Sequence, residues 1–296
     1  AVDPSFVHTI AGRVAHMEVM QGHLLVGGYF PGYLKSVSPV TGAGDGYAMP
    51  TISGSYVFSG VKPNPSRVWN MSPSPDGNAV LIMGDFTSVG GLARRQIFRL
   101  NLGPTATVSA WYSPGTGVLG SSYQYGFNED CATVEPFWLQ DASWSPDMSK
   151  IYIATTGYKP WYLSSSAPRT ELCDAAAGFP ATETNVAPLW INYTGCDSLF
   201  STAADANTVY FGGHQRWFNN PFGCDQPGLD SVVAPGMAGL DPNTGDIKWN
   251  PHRGRGLGAD DMTLTPAGLW IASDNQANTS TCAQSWSRMG ICFMPY

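Results

Sequence analysis

The sequence predicts an all-β fold, a five-bladed β-propeller of four-stranded blades, and three observations lead there. The first is a repeat. Short apolar runs closed by small residues recur as Leu24-Leu25-Val26-Gly27-Gly28, Val80-Leu81-Ile82-Met83-Gly84, Ile151-Tyr152-Ile153-Ala154-Thr155, Val209-Tyr210-Phe211-Gly212-Gly213 and Leu269-Trp270-Ile271-Ala272-Ser273. The gaps between their last residues are 56, 71, 58 and 60 residues. Self-similarity at a fixed period marks a repeat architecture. The second observation is hairpin grammar. A turn pair precedes each run (Gln21-Gly22, Asp76-Gly77, Asp147-Met148, Asp205-Ala206, Pro266-Ala267), and another apolar stretch lies upstream of it. Two short strands around a tight turn give that pattern. The third is what is left over. The 23 residues after Ser273 and the 28 up to Gly28 together make close to one further period. The ends then meet inside one unit, and blades of four strands stand around a central channel.

The elements follow in order. The blades span approximately 10–60, 61–114, 132–194, 196–251 and 258–296, the last completed by residues 2–8, so that 1–296 forms a single domain. Trp190 precedes Val209 by 19 residues, Trp249 precedes Leu269 by 20, and Phe6 precedes Leu24 by 18. The stretch around Phe6 is therefore expected to be the outermost strand of the last blade, closing the ring and covering a sheet edge.

Composition agrees and narrows the function. The 296 residues carry 34 Gly and 23 Pro, as turn-rich β folds require, and only 12% charged residues. A net charge of −7 with no Lys/Arg run argues against nucleic acid, and no apolar run is long enough for a spanning helix, so membrane insertion is not expected. The chain begins Ala-Val-Asp-Pro, which reads as a mature end after cleavage. Six Cys, none in a CxxC spacing, fit disulfides rather than zinc, and placement favours Cys131–Cys173, Cys196–Cys224 and Cys282–Cys292. A secreted, extracellular protein is expected. Asn70, Asn192 and Asn278 open glycosylation triplets, a pattern that also arises by chance.

The segment Met83-Gly84-Asp85-Phe86-Thr87-Ser88-Val89-Gly90-Gly91 through Arg99-Leu100-Asn101 closely resembles the delta-sixty propeller repeat of bacterial secreted proteins, which commonly runs GGDFTSVNGxxRxxIARLN. Blade four resembles it more loosely through Gly212-Gly213-His214, Gly239-Leu240-Asp241-Pro242-Asn243-Thr244-Gly245 and Trp249-Asn250-Pro251; the tract from Val209 to Asn220 also looks like exported proteins of actinobacteria. The resemblance implies a secreted propeller and no particular activity, so function has to come from a site.

In such a fold the loops after the five runs open on one face. They carry Tyr29, Tyr33, Tyr158, Trp161, Tyr162, His214, Arg216, Trp217 and Asn275, a set of flat rings beside amides and charges. Sugars suit it: their C–H faces stack on rings and their hydroxyls want fixed donors and acceptors. A glycan is the first expected partner and an extracellular protein the second. Arg216 has a structural alternative, a bridge to Asp225 or Asp230 with Trp217 stacked on it. A hydrolase or lyase would need carboxylates near the axis, for which Asp85, Asp141, Asp274 and Glu135 stand; neither GxSxG nor HExxH occurs. Binding ranks above catalysis. No cofactor is expected beyond structural calcium, for which Asp274, Asp260 and Asp261 are the candidates.

Overall fold

The computed structural model describes residues 5–6, 9–55, 67–114, 126–127, 131, 137–158, 171–182, 184, 186–251, 253, 258–273 and 290–295. They fall into two compact units, Ala1–Tyr112 and Ser113–Tyr296. Every regular element among the described residues is a strand, and all described pairings are antiparallel. No described helix is long and apolar enough to cross a membrane.

The first unit holds a three-stranded meander, β1 (Arg13–Met20), β2 (His23–Tyr29) and β3 (Leu34–Val37). A small sheet follows from β4 (Ile52–Ser53), β7 (Ser88–Val89) and β8 (Leu92–Ala93), interleaved with a four-stranded meander of β5 (Arg67–Pro73), β6 (Ala79–Asp85), β9 (Ile97–Asn101) and β10 (Thr107–Val108). The second unit repeats the theme. β11 (Trp138–Trp144), β12 (Lys150–Thr156), β13 (Ala175–Pro180) and β14 (Trp190–Tyr193) form one sheet. β15 (Leu199–Ala204), β16 (Val209–Gly213), β19 (Met237–Leu240) and β20 (Ile247–Trp249) form the next, with the short pair β17 (Trp217–Phe218) and β18 (Val232–Val233) inserted. β21 (Ala259–Thr265), β22 (Gly268–Ser273) and β23 (Ile291–Pro295) form the last.

All five repeated runs are the second strand of such a sheet: β2, β6, β12, β16 and β22. Their alternating and continuous apolar residues fill the cores. In the first unit Leu25, Val68, Ile82, Phe86 and Phe98 pack together; in the second, Tyr152, Leu199, Val209 and Phe211 do, and further on Met237, Met262 and Ile271. Within each unit consecutive sheets stack by the same step. β1 and β2 lie against β5, β11 and β12 against β15, and β15 and β16 against β21.

Among the described residues the sheets of β1–β3 and of β21–β23 each hold three strands, one fewer than expected of a blade. Ser5 and Phe6, the described part of the anticipated closing strand, belong to no strand, and Phe6 is 39% exposed. Residues 1–4, 7 and 8 lie outside the described residues.

One local feature recurs in the five sheets built on the repeated runs. The pairing of first and second strands slips by one residue between Val14 and His16, Val68 and Asn70, Leu139 and Asp141, Leu199 and Ser201, and Ala259 and Asp261. Each slip is a β-bulge, an extra residue that bends the strand and increases its twist. The glycines that close three of the repeated runs now have a cause. A Cβ on Gly28 would stand 2.2 Å from the Arg13 carbonyl oxygen, one on Gly84 2.0 Å from that of Arg67, and one on Gly213 2.3 Å from that of Ser198.

The hairpin turns also follow from their residues. Gln21 and Gly22 both have positive φ, 49° and 80°, as a two-residue turn between Met20 and His23 demands. In the next sheet Asp76 accepts hydrogen bonds from Ser74 Oγ at 2.6 Å and Asn78 N at 3.0 Å. In the third, Asp147 accepts from Ser145 Oγ at 2.6 Å and Ser149 N at 3.0 Å. The Ser145 hydroxyl, then the Ser149 amide and hydroxyl, hold the Asp147 carboxyl down to about 2 from an ordinary 3.8; Asp76 is lowered in the same way. A pKa depressed by folding contributes stability above the unfolded value and loses it as pH falls through the folded one. Between pH 4 and pH 2, wild-type stability is therefore expected to fall more steeply than that of Asp147→Asn. Urea midpoints across that range check it; parallel curves would refute it.

Candidate functional site

The sheet of β15, β16, β19 and β20 carries an elaboration that its counterpart in the first unit lacks. There, β7 and β8 pair Ser88 with Ala93 and Val89 with Leu92 around Gly90 and Gly91, whose φ values are 57° and 80°. In the second unit, β17 and β18 pair Trp217 with Val233 and Phe218 with Val232. Residues 219–231 stand where the two glycines stood.

That longer loop is tied down along its length. Cys224 is joined to Cys196, on the turn that enters β15. Asn220 is fully buried; its Oδ1 accepts from Gly228 N at 2.7 Å, and its own N–H reaches Tyr193 O at 2.9 Å. Asn219 N donates to Asn192 Oδ1 at 2.6 Å, and Asn219 Nδ2 to Asp230 O at 2.8 Å. Asn192 is buried with its side chain committed, which leaves no room for a glycan on that triplet.

Arg216 is the clamp. Its Nε and Nη2 donate to Asp197 Oδ2 and Oδ1, both at 2.8 Å, and Nη2 also reaches Asp225 Oδ1 at 2.6 Å. The Asp197 side chain is wholly buried, whereas that of Asp225 is 68% exposed. The guanidinium lies 4.4 Å from the Trp217 ring centroid, a cation–π stack. Hydrogen bonding to Asp197, and then to Asp225, raises the guanidinium above its ordinary value. Both acids directly follow the bonded cysteines, so one arginine and one disulfide grip the same two chain segments. The bidentate fork is the geometry for which arginine is suited and lysine is not.

The other candidates are placed as follows. His214, half-buried, presents its ring edge-on to Phe200 at 4.9 Å between centroids, and Phe200 is the bulged residue of β15. Tyr29 ends β2 and is 47% exposed; Tyr33, half-buried with φ 58°, donates its N–H to Phe30 O. Tyr158 is half-buried just beyond β12. Asp85 is fully buried at the end of β6, opposite Arg67. Asp141 is buried, and each oxygen takes a backbone amide: Oδ1 that of Ala142 and Oδ2 that of Thr202, both at 2.8 Å. Its carboxylate thus joins β11 to β15. Asp260 and Asp261 are exposed on β21, and Asp261 Oδ1 accepts from Met262 N. Among the described residues no three or more His, Cys, Asp or Glu are grouped to hold a metal ion. Trp161, Tyr162, Asp274, Asn275, Glu135, Asn278 and Cys282 lie outside the described residues.

The structure joins Cys131 to Cys173 and Cys196 to Cys224. Cys292 is also bonded in a disulfide. The structure brings His214, Arg216 and Trp217 to the end of one strand. It adds Asp197, Asn220 and Gln215, which residue type alone had not singled out. The signal for Asp197 was present in the sequence, since Cys196-Asp197 and Cys224-Asp225 are the same pair of residues twice.

No protein-family model matches the chain, and no curated relative does. Among solved structures the chain is similar to the dihydro-heme d1 dehydrogenase NirN in complex with DHE, at 10% identity, TM-score 0.46, over 90% of this chain and 44% of that one. It is similar to the PQQ-bound aldose sugar dehydrogenase of Streptomyces coelicolor, at 12% identity, TM-score 0.41, over 90% and 77%. It is similar to the Pan2 WD40 domain of Neurospora crassa, at 8% identity, TM-score 0.38, over 90% and 59%. The chain thus spans less than two thirds of the NirN and Pan2 chains.

Proposed function

We propose that this chain is a secreted binding propeller that recognises carbohydrate, and that the stapled loop of residues 219–231 with the adjoining strand end is its recognition site. The observation that carries the reading is the contrast between two equivalent corners. One is closed by Gly90 and Gly91. The other is built out, cross-linked through Cys196–Cys224 and clamped by Arg216. Long loops held on rigid scaffolds are where binding concentrates. The disulfides fit an oxidising compartment. Five blades in a closed ring are part of this reading, supported by the recurring bulge and by the stacking of consecutive sheets within each unit.

The exposed apolar side chains Leu229, Val232 and Val233 on the same hairpin favour a second reading, an extracellular protein as partner. A central carboxylate hydrolase has less support, because Asp141 spends both oxygens on backbone amides. A glycan array probed with the wild-type protein and with Trp217→Ala separates the readings. The wild type should retain a restricted set of glycans, and Trp217→Ala should weaken them about tenfold, the worth of one aromatic contact. No retained glycan at all would sink the carbohydrate reading.

A further inference from the structure

Two side chains near the start of the last sheet are buried without the partners that their chemistry requires. Arg253 follows β20 and is only 5% exposed. Its Nη2 donates to Ser273 Oγ at 2.6 Å, and its Nη1 lies 3.6 Å from Cys292 Sγ. Its Nε has no acceptor, and no carboxylate among the described residues pairs with it. Burial alone pushes its pKa below the ordinary guanidinium value. Buried charges in proteins are paired, because taking an ion out of water without a counter-charge is costly. Gln215 is the second. It is fully buried, and neither its Oε1 nor its Nε2 has a hydrogen-bond partner. The equivalent position in the first unit is Phe86, whose apolar ring is at home in such a core.

A short chain of backbone contacts links the two. Ser273 pairs with Ala259 across β22 and β21. Ala259 N donates to Gly236 O, and Gly236 N to Gln215 O. A Cβ on Gly258 would meet both the Gly213 carbonyl oxygen and the His214 ring, so the backbone ahead of β21 runs directly beside the end of β16, two residues before Gln215. A guanidinium short of an anion and a primary amide short of a donor and an acceptor therefore sit at one end of two neighbouring sheets. We infer that this junction is a ligand subsite for a carboxylate-bearing sugar, with Arg253 taking the carboxylate and Gln215 a hydroxyl. A guanidinium forks onto a carboxylate, and an amide both donates to and accepts from a hydroxyl. The inference rests on the carbohydrate reading and narrows it to acidic sugars.

Calorimetric titration with sodium glucuronate, glucose and sodium sulfate tests it, alongside thermal unfolding of the wild type, Arg253→Met and Gln215→Leu. The wild type should bind glucuronate about tenfold more tightly than glucose or sulfate, the margin of one charged anchor. Arg253→Met should abolish that preference yet raise the ligand-free melting temperature by several degrees, because it removes a buried charge that no internal group offsets. Gln215→Leu should weaken glucuronate and also raise the melting temperature. Absence of glucuronate binding to the wild type would overturn the inference, as would an Arg253→Met variant that melts lower while binding unchanged. Sulfate bound as tightly as glucuronate would overturn the assignment to a sugar acid. Neutral glycans retained on the array without glucuronate binding would overturn this subsite alone and leave the carbohydrate reading in place.

Discussion

Replacing Arg216 with methionine is expected to cost about 3 kcal/mol of stability, because it leaves the wholly buried Asp197 carboxylate without its half-buried charged partner. Asp197 would keep a carboxylate with no exposure and lose both guanidinium bonds, at Nε and Nη2. Methionine preserves much of the stem that lies over Trp217, so the loss reports the charge rather than the packing. Asp225→Asn is the internal control. Its side chain is 68% exposed, and exposed pairs are worth about 0–1 kcal/mol. Urea unfolding followed by tryptophan fluorescence measures both variants. If the two lost the same small amount, the clamp would have no energetic standing, and the loop would owe its shape to the disulfide.

The second large effect is expected at Gly84. An alanine methyl there would stand 2.0 Å from the Arg67 carbonyl oxygen and 2.8 Å from the edge of the Phe86 ring. Backbone cannot rotate out of the way as a side chain can, so the strands at the bulge would have to separate. Overpacking of a rigid site costs about 3 kcal/mol. Gly44→Ala gives the contrast: nothing lies within 4 Å of the added methyl and its φ is not positive, so the change should be close to neutral. Equal denaturation midpoints for the two variants would show that the bulge yields more readily than its geometry implies.

The strands were legible because their chemistry is local. Leu24 to Gly28 and its four counterparts all became second strands, and Gln21-Gly22 became the turn that its φ values require. The bulges were not legible. A single extra residue such as Gln140 leaves the apolar run intact and only shifts its phase: Leu139 is buried, Gln140 half-buried, and Asp141 and Ala142 are then buried in succession. Asp141 shows the same limit at the level of function. As a residue type it suggested acid chemistry; its neighbours turned it into a strap between strands, because the bulge aims it at the Thr202 amide. For Arg216 the structural alternative open in the sequence, a bridge to Asp225 or Asp230 with Trp217 stacked on it, is present in its Asp225 form. Its stronger partner Asp197 is distant in the chain and adjacent only through the fold. Gln215 and Arg253 could not have been found from sequence, since an unmet hydrogen bond is visible only once the surroundings are known.

The corner occupied by Gly90 and Gly91 in one sheet and by residues 219–231 in another has a consequence for design. Two sheets of the same build carry very different lengths at the same place while the strands on either side keep their pairing. Such a position is a socket. New segments can be inserted there without disturbing the core, and a covalent cross-link such as Cys196–Cys224 can then fix their shape.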